Sequence, residues 1–580
     1  MKMLSHQWSM ETMRLQTDII RGEVSPSLVL ANGVYLNTYI KKWETGNVWI
    51  DQDRIIYVGD KLPNNVENIK VIDCSNRYLV PGYIEPHVHP TQLYNPMSMA
   101  EHSAKHGTTT LICDNAIFYF LLDDESSFKM MDALDQTPIQ FFWWCRYDPQ
   151  TAIEDNPFNQ ERVTKWLSHP LVVQGGELTD WPDVLLHGND EILKWMQETK
   201  DQGLKIEGHL PGASERTLTQ MRLLGVTCDH EAMTGDEALT RLRTGLTTSL
   251  RYSSIRPDLP DILEDLLKKG IEHFDRLFMT TDGATPHFLK QGVMDKLVDI
   301  AIQKGVNTAD AYMMASSNIA SYYNMDDCLG HIAPGRLANI NILQSKENPY
   351  PISVLSKGFW IKRESDMIYD FFSDQTWSES LRPLNINLTL TEKDLEVTSP
   401  IGMDMVNAVI AKPLELDHIP TDTDLPKGLL YLSLIDRKGK WMTSTIVKGF
   451  ATDLYGFASS FSCAGDIVLI GKSKKDMLIA FERMKEIGGG LVLSEKGSIL
   501  YEIPLPYLGM MSEHTMEALA DEDQVMVNLL KERGYTFVDP YFSLLFISSI
   551  HLPYIRVTSL GLYHVLKRQV IVPSREIAQD

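Results

Sequence analysis

Cysteine is scarce in this chain and never closely spaced. Six occur in 580 residues, at Cys74, Cys113, Cys145, Cys228, Cys328 and Cys463, and no two form a C-x-x-C pair. That excludes a zinc ribbon, a small disulfide framework and the P-C-x-x-C half of the zinc base-deaminase signature. Long apolar runs are missing too. No segment offers the roughly 18 uninterrupted apolar residues of a membrane span. The stretch 1–23 mixes charges throughout, with no apolar run or small-residue cleavage site. We expect residues 1–25 to be a short helical extension and the protein to be cytoplasmic. Basic charge is in deficit: 77 acids against 54 bases leave a net −23. That argues against a nucleic-acid surface and against anionic membranes. There is no internal repeat, no low-complexity linker, and no G-x-G-x-x-G after the early strands.

What is present begins with length. At 580 residues the chain exceeds one ordinary core, so two to four domains are expected. Residues 26–80 carry short apolar runs with turn punctuation, such as Leu28-Val29-Leu30 and Ile55-Ile56-Tyr57-Val58, which suits a small β-domain. From Tyr83 to about Leu329 the pattern becomes strand then helix, repeated. The strand-like runs begin with Thr108–Cys113, Phe141–Trp144, Leu171–Gly175 and Lys205–His209. They continue with Val226–His230, Thr247–Arg251 and Leu277–Asp282, and with the first run they number near eight. Such alternation over roughly 250 residues predicts a TIM-type (β/α)8 barrel. A turn-rich link, Gly330–Arg336, leads to Asn339–Leu343, a strand expected to return to the first β-domain. The last segment, 401–580, reads as mixed α and β.

The stretch Val80–Pro90 holds His87-Val88-His89. Side chains alternate along a strand, so both imidazoles face one way and can grip one metal ion. Further ligands fall at the ends of later strands. Glu177 follows Val172–Gly176, His209 ends Lys205–Gly208, His230 ends Val226–Asp229, and Asp282 ends Met279–Thr281. The C-terminal ends of barrel strands are where such enzymes keep their chemistry. Four imidazoles and two carboxylates suit two divalent cations, with Zn, Mn or Fe(II) fitting the mixed N/O set better than Ca or Mg. Two metals would lower the pKa of a bridging water. Asp282 could ligate and also accept that water's proton.

The chain resembles the adenine deaminase family of the amidohydrolase superfamily. The resemblance is carried by Pro81–His89, His106–Thr110, Gly176–Leu178, Gly208–Gly212, Asp229–Glu231, Asn318–Ala320 and Gly330–Gly335. It runs on through Ala458–Ser460 and Pro506–Ser512 to the end. It implies a metal-dependent hydrolase barrel over 81–330, a composite β-sandwich from 26–80 plus 331–400, and a C-terminal α+β domain over 401–580. It also implies a binuclear centre of Mn or Fe rather than Zn, a purine-like small-molecule substrate and a homo-oligomer, a dimer. The implied reaction is adenine plus water to hypoxanthine plus ammonia, a hydrolysis of a C–N bond in a cyclic amidine. Glu231, beside His230, becomes a candidate acid for the ring nitrogen or a partner of a ligand histidine. The sequence departs from the family at Pro90–Leu93, at Asp114–Ile117, at Tyr252, at Gly283 and at Ser462–Asp466. The inferred ligands are kept while groups around them change. Hydrolysis of another cyclic amide, amidine or aminopurine, and a non-catalytic metal-binding role, therefore stay open.

Overall fold

The computed structural model describes residues 9–64, 69–153, 156–421 and 425–577. The first eight residues of the expected N-terminal extension lie outside these. Within it, Met10–Arg21 is a helix, opened by the Ser9 hydroxyl accepting from Thr12 N–H and closed by Gly22 in the left-handed region. Its Ile19 packs with Val29, Ala31, Trp49 and Ile56.

The first sheet is built from two separated stretches. Strands β1 (Leu28–Asn37), β2 (Lys42–Asp51), β3 (Arg54–Gly59), β4 (Lys70–Asp73) and β5 (Tyr78–Pro81) come before the barrel. The barrel strands follow as β6 (Tyr83–Val88), β7 (Thr108–Cys113), β8 (Gln140–Cys145) and β9 (Val172–Leu178). They continue as β10 (Lys205–Gly208), β11 (Cys228–Asp229), β12 (Thr247–Arg251) and β13 (Leu277–Thr280). Then β14 (Ile340–Leu343), β15 (Ser353–Ser356), β16 (Phe359–Arg363) and β17 (Asp366–Met367) rejoin the first five in one nine-stranded sheet. The junction is β14 running antiparallel to β5, with Ile340 opposite Pro81 and Asn341 opposite Val80. Period-2 alternation gives this sheet two apolar faces. Leu28 and Leu30 join the cluster of Ile340 and Leu355, while Val29 and Ala31 face the N-terminal helix. The sheet also curls on itself: Ile55 N–H donates to Arg336 O (2.9 Å) and Gly335 N–H to Ile55 O (2.8 Å).

The eight strands β6 to β13 pair in sequence order, and the neighbouring pairs run parallel. A bridge between Val88 and Asp282 brings the last strand back to the first. Most barrel strands are buried along their whole length, as a parallel sheet covered on both faces requires. The closing seam is tied by side chains. Thr280 Oγ1 donates to His87 O (2.8 Å), and Glu85 accepts from Thr281 N–H (2.9 Å) and from the Thr280 hydroxyl (2.7 Å).

The C-terminal region carries its own sheet. Strands β18 (Ile401–Met405), β19 (Ala411–Glu415), β20 (Leu429–Ile435) and β21 (Trp441–Lys448) join β22 (Gly456–Ser459), β23 (Ile467–Gly471), β24 (Gly490–Glu495) and β25 (Ser498–Pro504). The helix Lys474–Glu486 lays Met477, Ala480, Phe481 and Met484 on this sheet. Leu384, Ile386, Leu388 and Leu390 pack into the same cluster, although they precede residue 401, where this domain was expected to begin. Their alternation follows the apolar face of the C-terminal sheet. Two further helices follow, Met516–Glu532 and Pro540–Phe546.

Candidate metal centre

All eight barrel strands deliver charged side chains to one end. β6 supplies His87 and His89, β7 Asp114, β8 Arg146, β9 Glu177, β10 Glu207 and His209, β11 His230 and Glu231, β12 Arg251 and β13 Asp282. Gly176 lets two of them stand together. It takes φ +87, and a Cβ there would collide with the Glu207 carbonyl. Asp282 also sits in the left-handed region, φ +52, which Asp tolerates better than most residues.

The seven residues singled out from sequence converge. Three sets of their donor atoms lie within 4.8 Å of one another: His87, Glu177 and His230; His87, His89 and Asp282; His209, His230 and Glu231. Asp282 Oδ1 stands 3.1 Å from His89 Nε2 and 3.6 Å from His87 Nε2. Glu177 Oε1 is 2.5 Å from His209 Nδ1 and 3.4 Å from His230 Nε2.

A ring of groups missed from sequence orients these. His89 Nδ1 donates to Asp114 Oδ2 (2.9 Å) and His230 Nδ1 to Glu207 Oε1 (3.0 Å). In each case the outer nitrogen is held by a carboxylate and Nε2 is left facing the cluster. Arg146 donates to both oxygens of Asp114 (2.6 and 3.0 Å) and to Glu177 Oε2 (2.8 Å). Arg251 Nη1 reaches Glu231 (2.6 Å) and Asp282 Oδ2 (2.7 Å), and Arg256 also pairs with Glu231. A signal for these existed. Glu207 lies in β10, two residues before His209, which follows the strand's end. Asp114, Arg146 and Arg251 occupy the same end of the barrel as the candidate ligands.

The charges are strongly coupled. Burial pushes the Asp282 and Glu177 carboxyls up, but Arg251 beside the first and Arg146 beside the second hold both well below the usual range. Glu231 is held down to about 2 against burial, by His209 and the two guanidiniums. Burial lowers His89, yet Asp114 and Asp282 together raise it to about 9.

Above the cluster opens a cleft of about 720 Å³, counted with its mouth. Its floor includes His89, Glu177, His209 and Asp282. Its far wall comes from the C-terminal region, with Phe461, Met510, Phe542 and Phe546. A charged floor facing an apolar wall suits a small, flat polar molecule.

Residues 78–363 match the amidohydrolase family, and residues 407–569 match the adenine deaminase C-terminal domain. A Bacillus cereus protein is 48% identical over 98% of this chain and 97% of its own length; its name is "Putative adenine deaminase". An Oceanobacillus iheyensis protein with the same designation is 50% identical over 98% of each chain. An "Adenine deaminase" of Kosmotoga olearia is 27% identical over 95% of this chain and 97% of its own. The chain belongs to the adenine deaminase family.

The amidohydrolase barrel of that family implies a divalent metal, and the donors here fit one. Both ring nitrogens of His87 are buried without a hydrogen-bond partner. Glu207 Oε2 lies 3.1 Å from His87 Nδ1, but off the line a hydrogen bond needs. A fully buried imidazole with an orphan nitrogen among carboxylates is what a ligand looks like without its ion.

Proposed function

We propose that this chain is a binuclear metal-dependent hydrolase that converts adenine and water to hypoxanthine and ammonia. The observation that carries the proposal is the convergence of His87, His89, Glu177, His209, His230 and Asp282, four of them lining the floor of one cleft and His87 and His230 buried with them. We assign these six as the residues that would hold the metals, and the N/O donor set favours Mn or Fe(II) over Ca or Mg. Bound there, divalent ions would supply a water of lowered pKa and positive charge beside the reacting carbon. The chain's own contribution is to hold and move protons. Asp282, ionised beside Arg251, accepts one proton of the attacking water and returns it to the leaving amine, which departs as ammonia. The second proton of the water ends on the product's ring nitrogen. Glu231, gripped by Arg251 and Arg256, stays a carboxylate. We therefore assign it to fixing the cluster rather than to donating a proton.

A second substrate in the same class is favoured by Ala116 and Ile117. They present apolar surface to the cleft where the resembled family carries His and Glu. Another aminopurine or cyclic amidine would meet the same floor and a less polar wall. The six cysteines are unpaired thiols, which supports a reducing, cytoplasmic setting. Among the described residues no helix is long and apolar enough to cross a membrane.

The test is turnover with metal analysis. Manganese-loaded protein should consume adenine and release ammonia in equal amounts, and carry close to two ions per chain. His87→Ala and His209→Ala should lose both metal and turnover. Full metal content in both variants would refute the ligand assignment. Turnover of other aminopurines without adenine would move the proposal to the second substrate.

A further inference from the structure

The cleft holds a buried polar atom that the reaction above leaves unused. Gln92 is 7% exposed, and its Oε1 is buried with no hydrogen-bond partner, yet the residue lines the cleft. A buried acceptor left unpaired is costly unless something that binds beside it brings the donor.

Its position is built from both sides. The next residue, Leu93, takes φ +66 and its carbonyl accepts from Ser512 N–H (2.6 Å). Asn95 Nδ2 donates to Ser512 O (2.8 Å). The loop after His89 is thus tied to the C-terminal region. On the other side lies Gly283. A Cβ there would stand 2.9 Å from Gln92 Nε2, 3.0 Å from Phe542 Cζ and 3.2 Å from His89 Cδ2. Only a residue without a side chain lets the carboxamide and the phenyl ring close on the same spot beside His89.

A carboxamide whose nitrogen lies beside an aromatic ring and whose oxygen is unpaired, one step from the metal floor, can take a flat ring with a donor on its edge. The exocyclic amine is the leaving group and turns to the floor. The N–H that remains for Gln92 is therefore on the ring itself. We propose that Gln92 is a specificity-determining residue that accepts a hydrogen bond from a ring N–H of a heteroaromatic base packed against Phe542. This inference rests on the aminopurine reading of the cleft and narrows it. A sugar or alkyl group on the imidazole nitrogen of adenine removes its only ring N–H and with it this contact.

The test uses purine, which has that N–H, and 9-methylpurine, which lacks it. Binding of each to the metal-loaded full chain is measured by calorimetry for wild type and Gln92→Leu, with adenine turnover followed on the same preparations. Wild type should bind purine at least tenfold more tightly than 9-methylpurine. Gln92→Leu should weaken purine binding about tenfold, leave 9-methylpurine unchanged and bring the two within about threefold, at unaltered metal content. Gln92→Glu keeps an acceptor and should keep the preference. Wild type that fails to bind purine, or binds both probes equally, overturns the inference, as does an undiminished preference in Gln92→Leu. A Gln92-dependent preference without adenine hydrolysis would uphold the inference and count against the adenine reading alone.

Discussion

Asp282 has two oxygens with different duties. Oδ1 faces His87 and His89, and Oδ2 is held 2.7 Å from Arg251. An amide at this position keeps one acceptor toward the histidines but cannot carry a proton. Asp282→Asn should therefore retain much of its metal while losing about two to four decades of turnover, read by metal analysis and kcat together. An active, metal-loaded variant would mean that Asp282 serves only the backbone turn it begins. Glu207 makes a complementary case. It touches the Nδ1 side of His87 and His230, and Gln174 Nε2 donates to it (2.9 Å). Burial opposes its charge, but His87 and His230 hold its carboxyl down to about 2. Glu207→Gln loses that charge and disorients two imidazoles. Metal affinity should fall about 10–100-fold in competition with a chelator, with turnover recovering at high metal concentration.

The elements of the barrel were legible because each strand is a short apolar run ended by a turn. The run Val226–His230 shows where that legibility stops. Only Cys228 and Asp229 are strand, since two residues of pairing to each neighbour suffice when both faces are packed. The residues proposed as ligands are legible as strand-end residues of metal-binding type, and the fold brings them together. Asp114, Arg146, Glu207 and Arg251 carry only a weak signal there, because an acid or an arginine at a strand end is usually a surface charge, and only the closed barrel turns all eight ends to one point. Nor could sequence show that Leu384–Leu390 packs with a sheet whose first strand lies later in the chain. The docking of the helix Met516–Glu532 is of the same kind. Its Asp523 is buried and accepts from His287 N–H (2.9 Å), at the start of the short helix Pro286–Leu289, whose N-cap Thr285 makes no side-chain cap. Burial pushes the Asp523 carboxyl up to about 7. A raised folded-state pKa means that its contribution to stability is full below the unfolded value near 4 and is lost as pH rises through about 7. Asp523→Asn keeps an acceptor for His287 and never ionises. Its melting temperature should gain on wild type as pH rises from 4 to 8, by about 3 °C for a chain of this size. A difference that does not change with pH would show that Asp523 stays ionised in the folded state.

At the scale of the whole molecule, the centre is a charge cluster lying under a cleft between the barrel and the C-terminal region, and its stability depends on what neutralises it. Without metal, the carboxylates of Glu177, Glu207 and Asp282 are balanced by Arg146 and Arg251 together with protons on the histidines. The pKa values of His87, His89 and His230 accordingly sit above the ordinary imidazole value: burial lowers all three, and the facing carboxylates more than offset it. The linkage sign follows. A histidine raised on folding contributes stability that is complete below about 6.5 and is lost as pH rises through the folded value, which for His89 is about 9. A metal ion requires the opposite state, neutral imidazole, so its binding strengthens as pH rises over the same window. The two dependences run against each other. Removing the metal with a chelator should therefore cost little melting temperature at pH 6 and progressively more toward pH 9. At saturating metal the stabilisation should reach about 3–4 kcal/mol per site when the free ion exceeds its dissociation constant by some hundred- to thousandfold. Calorimetry of metal-free and metal-loaded protein at pH 6, 7.5 and 9 measures the gap directly. A gap that stays constant across that range would mean that the histidines are already neutral in the metal-free fold, and that the carboxylates are balanced by Arg146, Arg251 and Arg256 alone.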